Sequence, residues 1–174
     1  PIDLAAVGAE ALGSVGDVDL LREGEFEHAA VSGDPGLVER LVANLLDNAT
    51  HYNVPGGWVR VSTNVAPDGR SMLSVANSGP VVAPDEAERL REPFRRGNGD
   101  RTGHGEGVGL GLSIVDAIAT AHGAEVKLTA PPAGGLAVTV AFPRSSRVTS
   151  SQPPTLKPDV NVNGGDRSAG RAGR

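Results

Sequence analysis

The sequence predicts an α/β sandwich in which helices cover one face of a mixed, largely antiparallel sheet. Three observations carry that expectation. Val59, Val61, Thr63 and Val65 alternate with Arg60, Ser62 and Asn64, the period of a half-buried strand, and the turn Pro67-Asp68-Gly69 returns the chain into Ser71 to Ala76 as a hairpin partner. Two apolar helical segments, Pro35 to about His51 and Leu110 to His122, lie on either side of that hairpin. The mixed order of hairpins and helices does not suggest a doubly wound parallel sheet.

Taken in order, Ile2 to Leu12 places Leu4, Val7 and Ala11 at helical spacing, and a short strand is expected from Phe26 to Val31. Asp34-Pro35 looks like an N-cap followed by proline at the first helical position, where its missing N–H costs nothing. Pro55-Gly56-Gly57 ends the helix that follows. A short helix can begin at Pro84, and a glycine-rich stretch covers residues 97–111. Gly123 is placed to cap the helix ending at His122. Two strands, Glu125 to Thr129 and Leu136 to Phe142, close the body around Pro131-Pro132-Ala133-Gly134-Gly135.

At 174 residues the chain is one domain with appendages, and 39% hydrophobic residues suffice for a core without metals or disulfides. Aromatics make up only 3%, so that core is aliphatic. The absence of cysteine excludes a disulfide scaffold, a thiolate zinc site and a cysteine nucleophile. No apolar run approaches the roughly 18–20 residues that span a bilayer, and Pro1-Ile2-Asp3 is neither an initiator methionine nor a signal peptide, so the chain reads as a soluble fragment of a longer protein. Its net charge of -5 hides an asymmetry: residues 144–174 hold six of the 16 Lys+Arg and two of the 21 Asp+Glu, leaving -9 on residues 1–143. The tail, 144–174, is rich in Ser, Pro, Gly and Asn and has no aromatic residue, which predicts disorder. An acidic body speaks against nucleic acid as the main partner.

Two segments carry chemistry. On the helix of residues 35–51, Asn44, Asn48 and His51 fall within about 60° of one another, beside the apolar arc of Val38, Leu41, Val42 and Leu45. Amides one turn apart can present carbonyl oxygens together, which suits a magnesium ion that keeps several waters and takes few protein ligands. The alternative is that the same amides bond locally to backbone. The second segment, Gly103-His104-Gly105-Glu106-Gly107-Val108-Gly109-Leu110-Gly111, opens into an apolar helix. Glycines let main-chain N–H groups approach a phosphate, and a helix N-terminus adds free donors; otherwise the stretch is simply a loop before a helix.

In order and spacing, Asn44-Leu45-Leu46-Asp47-Asn48-Ala49, Val75-Ala76-Asn77-Ser78-Gly79-Pro80, Glu92-Pro93-Phe94-Arg95-Arg96 and Gly107-Val108-Gly109-Leu110-Gly111-Leu112 resemble the asparagine, first glycine, phenylalanine and second glycine boxes of the catalytic ATP-binding domain of sensor histidine kinases. The resemblance covers about residues 1–143 and implies the Bergerat ATP-binding fold, also found in gyrase-type ATPases. It implies ATP and Mg2+ as ligands, with Asn48 on the magnesium and Asn44 assisting. Where ATP-hydrolysing relatives place a glutamate base, this chain has Asn44, and an amide cannot remove a proton from water. By the same resemblance Tyr52 lies against adenine, Asn77 and Gly79 border the base, and Gly107, Gly109, Leu110 and Gly111 cradle the phosphates. Residues 95–106 form a lid from which Arg95, Arg96 or Arg101 reaches the γ-phosphate, and Phe94 docks on the helices that carry the phosphoacceptor.

This sequence departs from the pattern in places. Asn77 replaces an aspartate and so lacks its charge and second acceptor; Ser78-Gly79-Pro80 keeps one glycine of the first glycine box; and His51 stands where a lysine is usual. No H-E-x-[RK]-x-P motif occurs, so the phosphoacceptor histidine is expected on a separate dimerisation hairpin, with Pro1-Ile2-Asp3-Leu4 resembling the segment just after it. The implied partners are that hairpin and a response regulator. The implied parent is a membrane-linked homodimer with this part on the cytoplasmic side. Two alternatives stand beside this reading: a nucleotide-free interaction module of the same fold, and an anti-sigma-factor kinase acting on serine.

Overall fold

The computed structural model describes residues 1–16, 19–83 and 111–144. Its elements are β1 (Ile2–Asp3), α1 (Leu4–Ser14), β2 (Leu20–Phe26), β3 (Ala30–Val31), α2 (Pro35–His51), β4 (Gly57–Val65), β5 (Ser71–Asn77), α3 (Gly111–Ala121), β6 (Glu125–Thr129) and β7 (Leu136–Phe142). The helix expected from Pro84 and the tail lie outside the described residues. Among the described residues no helix is long and apolar enough to cross a membrane.

Five strands form one sheet in the order β2-β4-β5-β7-β6, with β2 parallel to β4 and every other pair antiparallel. A separate two-stranded ribbon pairs Ile2 with Val31 and Asp3 with Ala30. Alternation decides which face is covered. Val59, Val61, Thr63, Leu73, Val75, Val138, Val140 and Phe142 point to the helices and are buried, while Arg60, Ser62, Ser74 and Thr139 lie on the other face. The expectation of helices against one face of a mixed sheet is met. The strand expected over Phe26 to Val31 is instead β2, ending at Phe26, and the two-residue β3. β2 is an edge strand with Leu21, Arg22 and Glu25 exposed and Glu23 half-buried, so it lacks the apolar alternation by which strands are read. Gly24 allows that course, because a Cβ there would run into the Phe26 ring.

The central helix α2 starts as its sequence dictates: Asp34 Oδ1 accepts from Leu37 N at 3.1 Å, and Pro35 opens the first turn. Its buried stripe of Val38, Leu41, Val42, Leu45, Leu46 and Ala49 packs into the aliphatic core with Val115 and Ile118 of α3 and Leu4 of α1. Each large side chain there contributes about 1.5–3 kcal/mol by leaving water, which is why a 3% aromatic chain can hold this layer together. His122 fastens α3 to the start of α2. Its Nδ1 is 2.8 Å from Ile118 O, and Asp34 N donates to Nε2 at 3.3 Å, so the ring carries its proton on Nδ1. Asp3 caps α1, accepting from Ala5 N at 3.1 Å, and its Oδ2 lies 2.9 Å from His28 Nδ1. The His28 hydrogen bond, opposed by partial burial and reinforced by the backbone N–H groups of Ala5 and Ala29, holds the Asp3 carboxyl below its ordinary value.

Candidate nucleotide-binding site

The side of α2 bearing Asn48 faces α3. A Cβ built on Gly111 would sit 2.6 Å from Asn48 Nδ2 and 2.7 Å from Oδ1, so the amide occupies the space that glycine leaves free. Asn48 Nδ2 is buried with no hydrogen-bond partner among the described residues. A buried donor left unpaired costs about 1–3 kcal/mol, an arrangement that makes sense where a ligand oxygen completes it. Asn44, one turn earlier, is in a different state: its Nδ2 donates to Arg40 O at 2.7 Å, the local backbone bond open to an asparagine on a helix.

A magnesium ion fits these residues. Asn48 offers one amide oxygen beside a donor with no partner among the described residues, which suits a cation that shares a site with an anion and keeps waters of its own. Among the described residues no group of three or more His, Cys, Asp or Glu side chains is placed to enclose a metal.

At the far end of α2 the backbone turns and meets β5. Tyr52 closes the helix with its N–H donating to Asn48 O at 3.0 Å, and the residue is 44% exposed. The exposed His51 ring stands edge-on to it at 4.8 Å. Gly79 lies directly behind, since a Cβ there would come within 2.8 Å of Tyr52 O, 3.3 Å of Asn77 Nδ2 and 3.4 Å of Gly135 Cα. Asn77 is 7% exposed, and its Nδ2 donates to Ser78 O at 2.6 Å. That commitment orients the amide, leaving Oδ1 as the pole able to accept from a base.

The β6–β7 turn forms the adjoining wall. Gly134 and Gly135 have φ of +97° and +85°, and side chains there would strike Gly79 O and Asn77 O. Gly135 N donates to Pro80 O at 2.9 Å.

The fold thus brings Asn48 to Gly111, and Tyr52 to Gly79 and Asn77, at two stations along one helix, with His51 exposed beside Tyr52. Phe94, Arg95, Arg96, Arg101, Gly107, Gly109 and Leu110 lie outside the described residues. Sequence reasoning missed Asn53 and the structural part of Ser78. Asn53 Nδ2 donates to Ala49 O at 3.1 Å and to Trp58 O at 3.0 Å, and Ser78 Oγ donates to Asn53 Oδ1 at 2.7 Å. The only signal for it was a polar residue just before the Pro55-Gly56-Gly57 break.

Asn48 set against Gly111 at the start of α3, with helices over one face of a mixed sheet, agrees with the layout that the resemblance implies for an ATP-binding domain. The chain belongs to the family of histidine kinase-, DNA gyrase B- and HSP90-like ATPases, which matches residues 33–146. Within that family it is the catalytic ATP-binding domain of the sensor histidine kinase type. It is 43% identical over 148 residues to the sensor protein CutS of Streptomyces coelicolor, covering 82% of this chain and 36% of CutS. It thus spans little more than a third of the length of that relative. The solved mycobacterial sensor histidine kinase MprB superposes with a TM-score of 0.73 at 30% identity, covering 83% of this chain and 99% of that one. The histidine kinase domain of the Escherichia coli osmosensor EnvZ superposes with a TM-score of 0.62 at 32% identity, covering 90% and 94%.

Proposed function

We propose that this domain binds magnesium-ATP along α2 and donates the γ-phosphoryl group to a histidine on a separate dimerisation hairpin of the parent protein, for onward passage to a response regulator. The observation that carries this reading is the seat of the Asn48 amide against Gly111, with its buried Nδ2 unpartnered among the described residues. Asn48 holds the metal, which when bound neutralises charge between the phosphates. Asn44 assists from the turn before. Gly107, Gly109, Leu110 and Gly111 offer main-chain N–H groups to the phosphate oxygens, and Arg101 approaches from the lid. Tyr52 lies against the base, Asn77 accepts from its amino group, Gly79 lets the base come close to the main chain, and His51 faces the phosphates.

Transfer of this kind depends on positioning and electrostatic stabilisation more than on covalent participation by the protein. Asn44 cannot take a proton from water, so the γ-phosphoryl group is kept for a protein nucleophile. The parent is a membrane-linked homodimer with this domain on the cytoplasmic side. Similarity to the sensor proteins CutS and CusS, of which this chain spans 36% and 22%, supports a parent that senses and signals through further parts.

The test is to incubate the chain with radiolabelled ATP, with and without the parent's helical hairpin. Acid-labile, base-stable label is expected on the hairpin alone, and only when both are present. Such label on the chain by itself, or rapid phosphate release without the hairpin, would overturn the assignment of the acceptor or of Asn44.

A further inference from the structure

The loop between α2 and β4 contains a polar junction that the proposed nucleotide contacts do not use. Asn53 follows Tyr52 directly, and its side chain satisfies three elements at once. Nδ2 bridges the last turn of α2, at Ala49 O, and the first residues of β4, at Trp58 O. Oδ1 accepts from Val54 N at 2.9 Å and from Ser78 Oγ at 2.7 Å. Ser78 in turn receives Trp58 N at 2.8 Å on its hydroxyl, and its own N–H donates to Trp58 O at 3.0 Å. Gly57 makes room, because a Cβ there would collide with both Asn53 Oδ1 and Ser78 Oγ.

The placement matters more than the number of bonds. Asn53 is next to Tyr52 in the chain, and Ser78 sits between Asn77 and Gly79. The Asn53–Ser78 hydrogen bond therefore spans the gap between the two segments assigned to the base, one from the helix end and one from the strand end. Across that gap Gly79 abuts Tyr52 O. The metal end of the site, Asn48 against Gly111, is held by a different contact between α2 and α3. Side-chain networks of this kind rigidify when every member is satisfied.

We propose that Asn53 and Ser78 are positioning residues, a latch that fixes the spacing between Tyr52 and Asn77 and so sets how tightly the base end of the nucleotide is held. The inference rests on the reading of the nucleotide site given above. It predicts a division of labour: disrupting the latch weakens nucleotide binding through the base end and leaves the Asn48 end intact.

The test uses this chain, magnesium-ATP titrations and a thermal midpoint for each variant. Ser78→Ala and Asn53→Ala are each expected to weaken ATP binding about tenfold while keeping a cooperative thermal transition. In a double-mutant cycle Asn53→Ala and Ser78→Ala should be strongly non-additive, because they break one bond between them. Ser78→Ala and Asn48→Ala should be additive within error, because they act at separate ends. Ser78→Thr, which keeps the hydroxyl, should bind ATP within about twofold of the unaltered chain. Unchanged ATP affinity in Ser78→Ala, additivity between Asn53→Ala and Ser78→Ala, or loss of the fold in both single variants would overturn the latch. If the unaltered chain fails to bind magnesium-ATP, the nucleotide assignment itself falls, a result separate from all of these.

Discussion

The side-chain amide of Asn48 fills the space beside Gly111 that any other residue would claim with its Cβ. The two lie on different helices, so the spacing between the proposed cation ligand and the start of the glycine-led helix depends on one missing methyl group. Gly111 is the first residue of α3, so Gly111→Ala changes intrinsic helix propensity by less than the roughly 1 kcal/mol of a helix interior. The collision falls on the mobile end of an asparagine, which can swing aside. The variant should therefore keep or slightly raise its melting temperature while losing about tenfold in magnesium-ATP affinity, measured by calorimetric titration.

Asn48→Ala probes the same contact from the other side. Truncation removes a buried donor that has no partner among the described residues, so the unliganded fold should lose less than about 1 kcal/mol. Binding of magnesium-ATP, or transfer to the hairpin, should fall sharply. Urea unfolding and titration on the same preparation separate the two effects. Unaltered affinity and transfer in a folded Asn48→Ala chain would falsify the ligand assignment.

His122 offers a test of the frame behind the site. His122→Phe keeps a ring next to Phe142 but can neither donate to Ile118 O nor accept from Asp34 N. Losing those bonds should cost about 1–2 kcal/mol and lower the melting temperature by a few degrees. Differential scanning calorimetry reads both, and an unchanged midpoint would mean that water replaces the imidazole at no cost.

Acid should act through Asp3. Its carboxyl is held below the ordinary aspartate value, so the group binds protons more weakly folded than unfolded. The stability it supplies is present above the unfolded pKa and is lost as pH falls through the lower, folded one. Asn is also a good N-cap, so Asp3→Asn removes the charge while keeping a cap. The two chains should differ in urea midpoint at about pH 5 and converge in stronger acid, below about pH 4. A gap that widens on acidification would reverse the sign.

Much of this fold is legible in the sequence because its central elements are buried on one side. β5 alternates strictly and β4 does so up to Thr63, with Val65 exposed at its end, and α2 carries its cap, its proline and its apolar stripe in plain view. β2 lies mostly upstream of the strand expected over Phe26 to Val31, since an edge strand with exposed Leu21, Arg22 and Glu25 shows no period to read. The chemistry of the site is also local: asparagine spacing and glycine runs are visible without coordinates. The Asn53–Ser78 bond is not, because its partners are far apart in sequence and neither residue type is unusual in a loop or at a strand end.

One wall of the base end, where Gly79, Gly134 and Gly135 meet, is bare main chain. An inhibitor that donates hydrogen bonds to the carbonyl oxygens there would grip atoms that no point mutation can delete. Adding a side chain at Gly134 or Gly135 to push it away would drive that side chain into Gly79 O or Asn77 O and require an unfavourable φ as well. Escape from such a compound would have to come from the other side of the cleft, at the exposed rings of His51 and Tyr52, which are free to change without disturbing the fold.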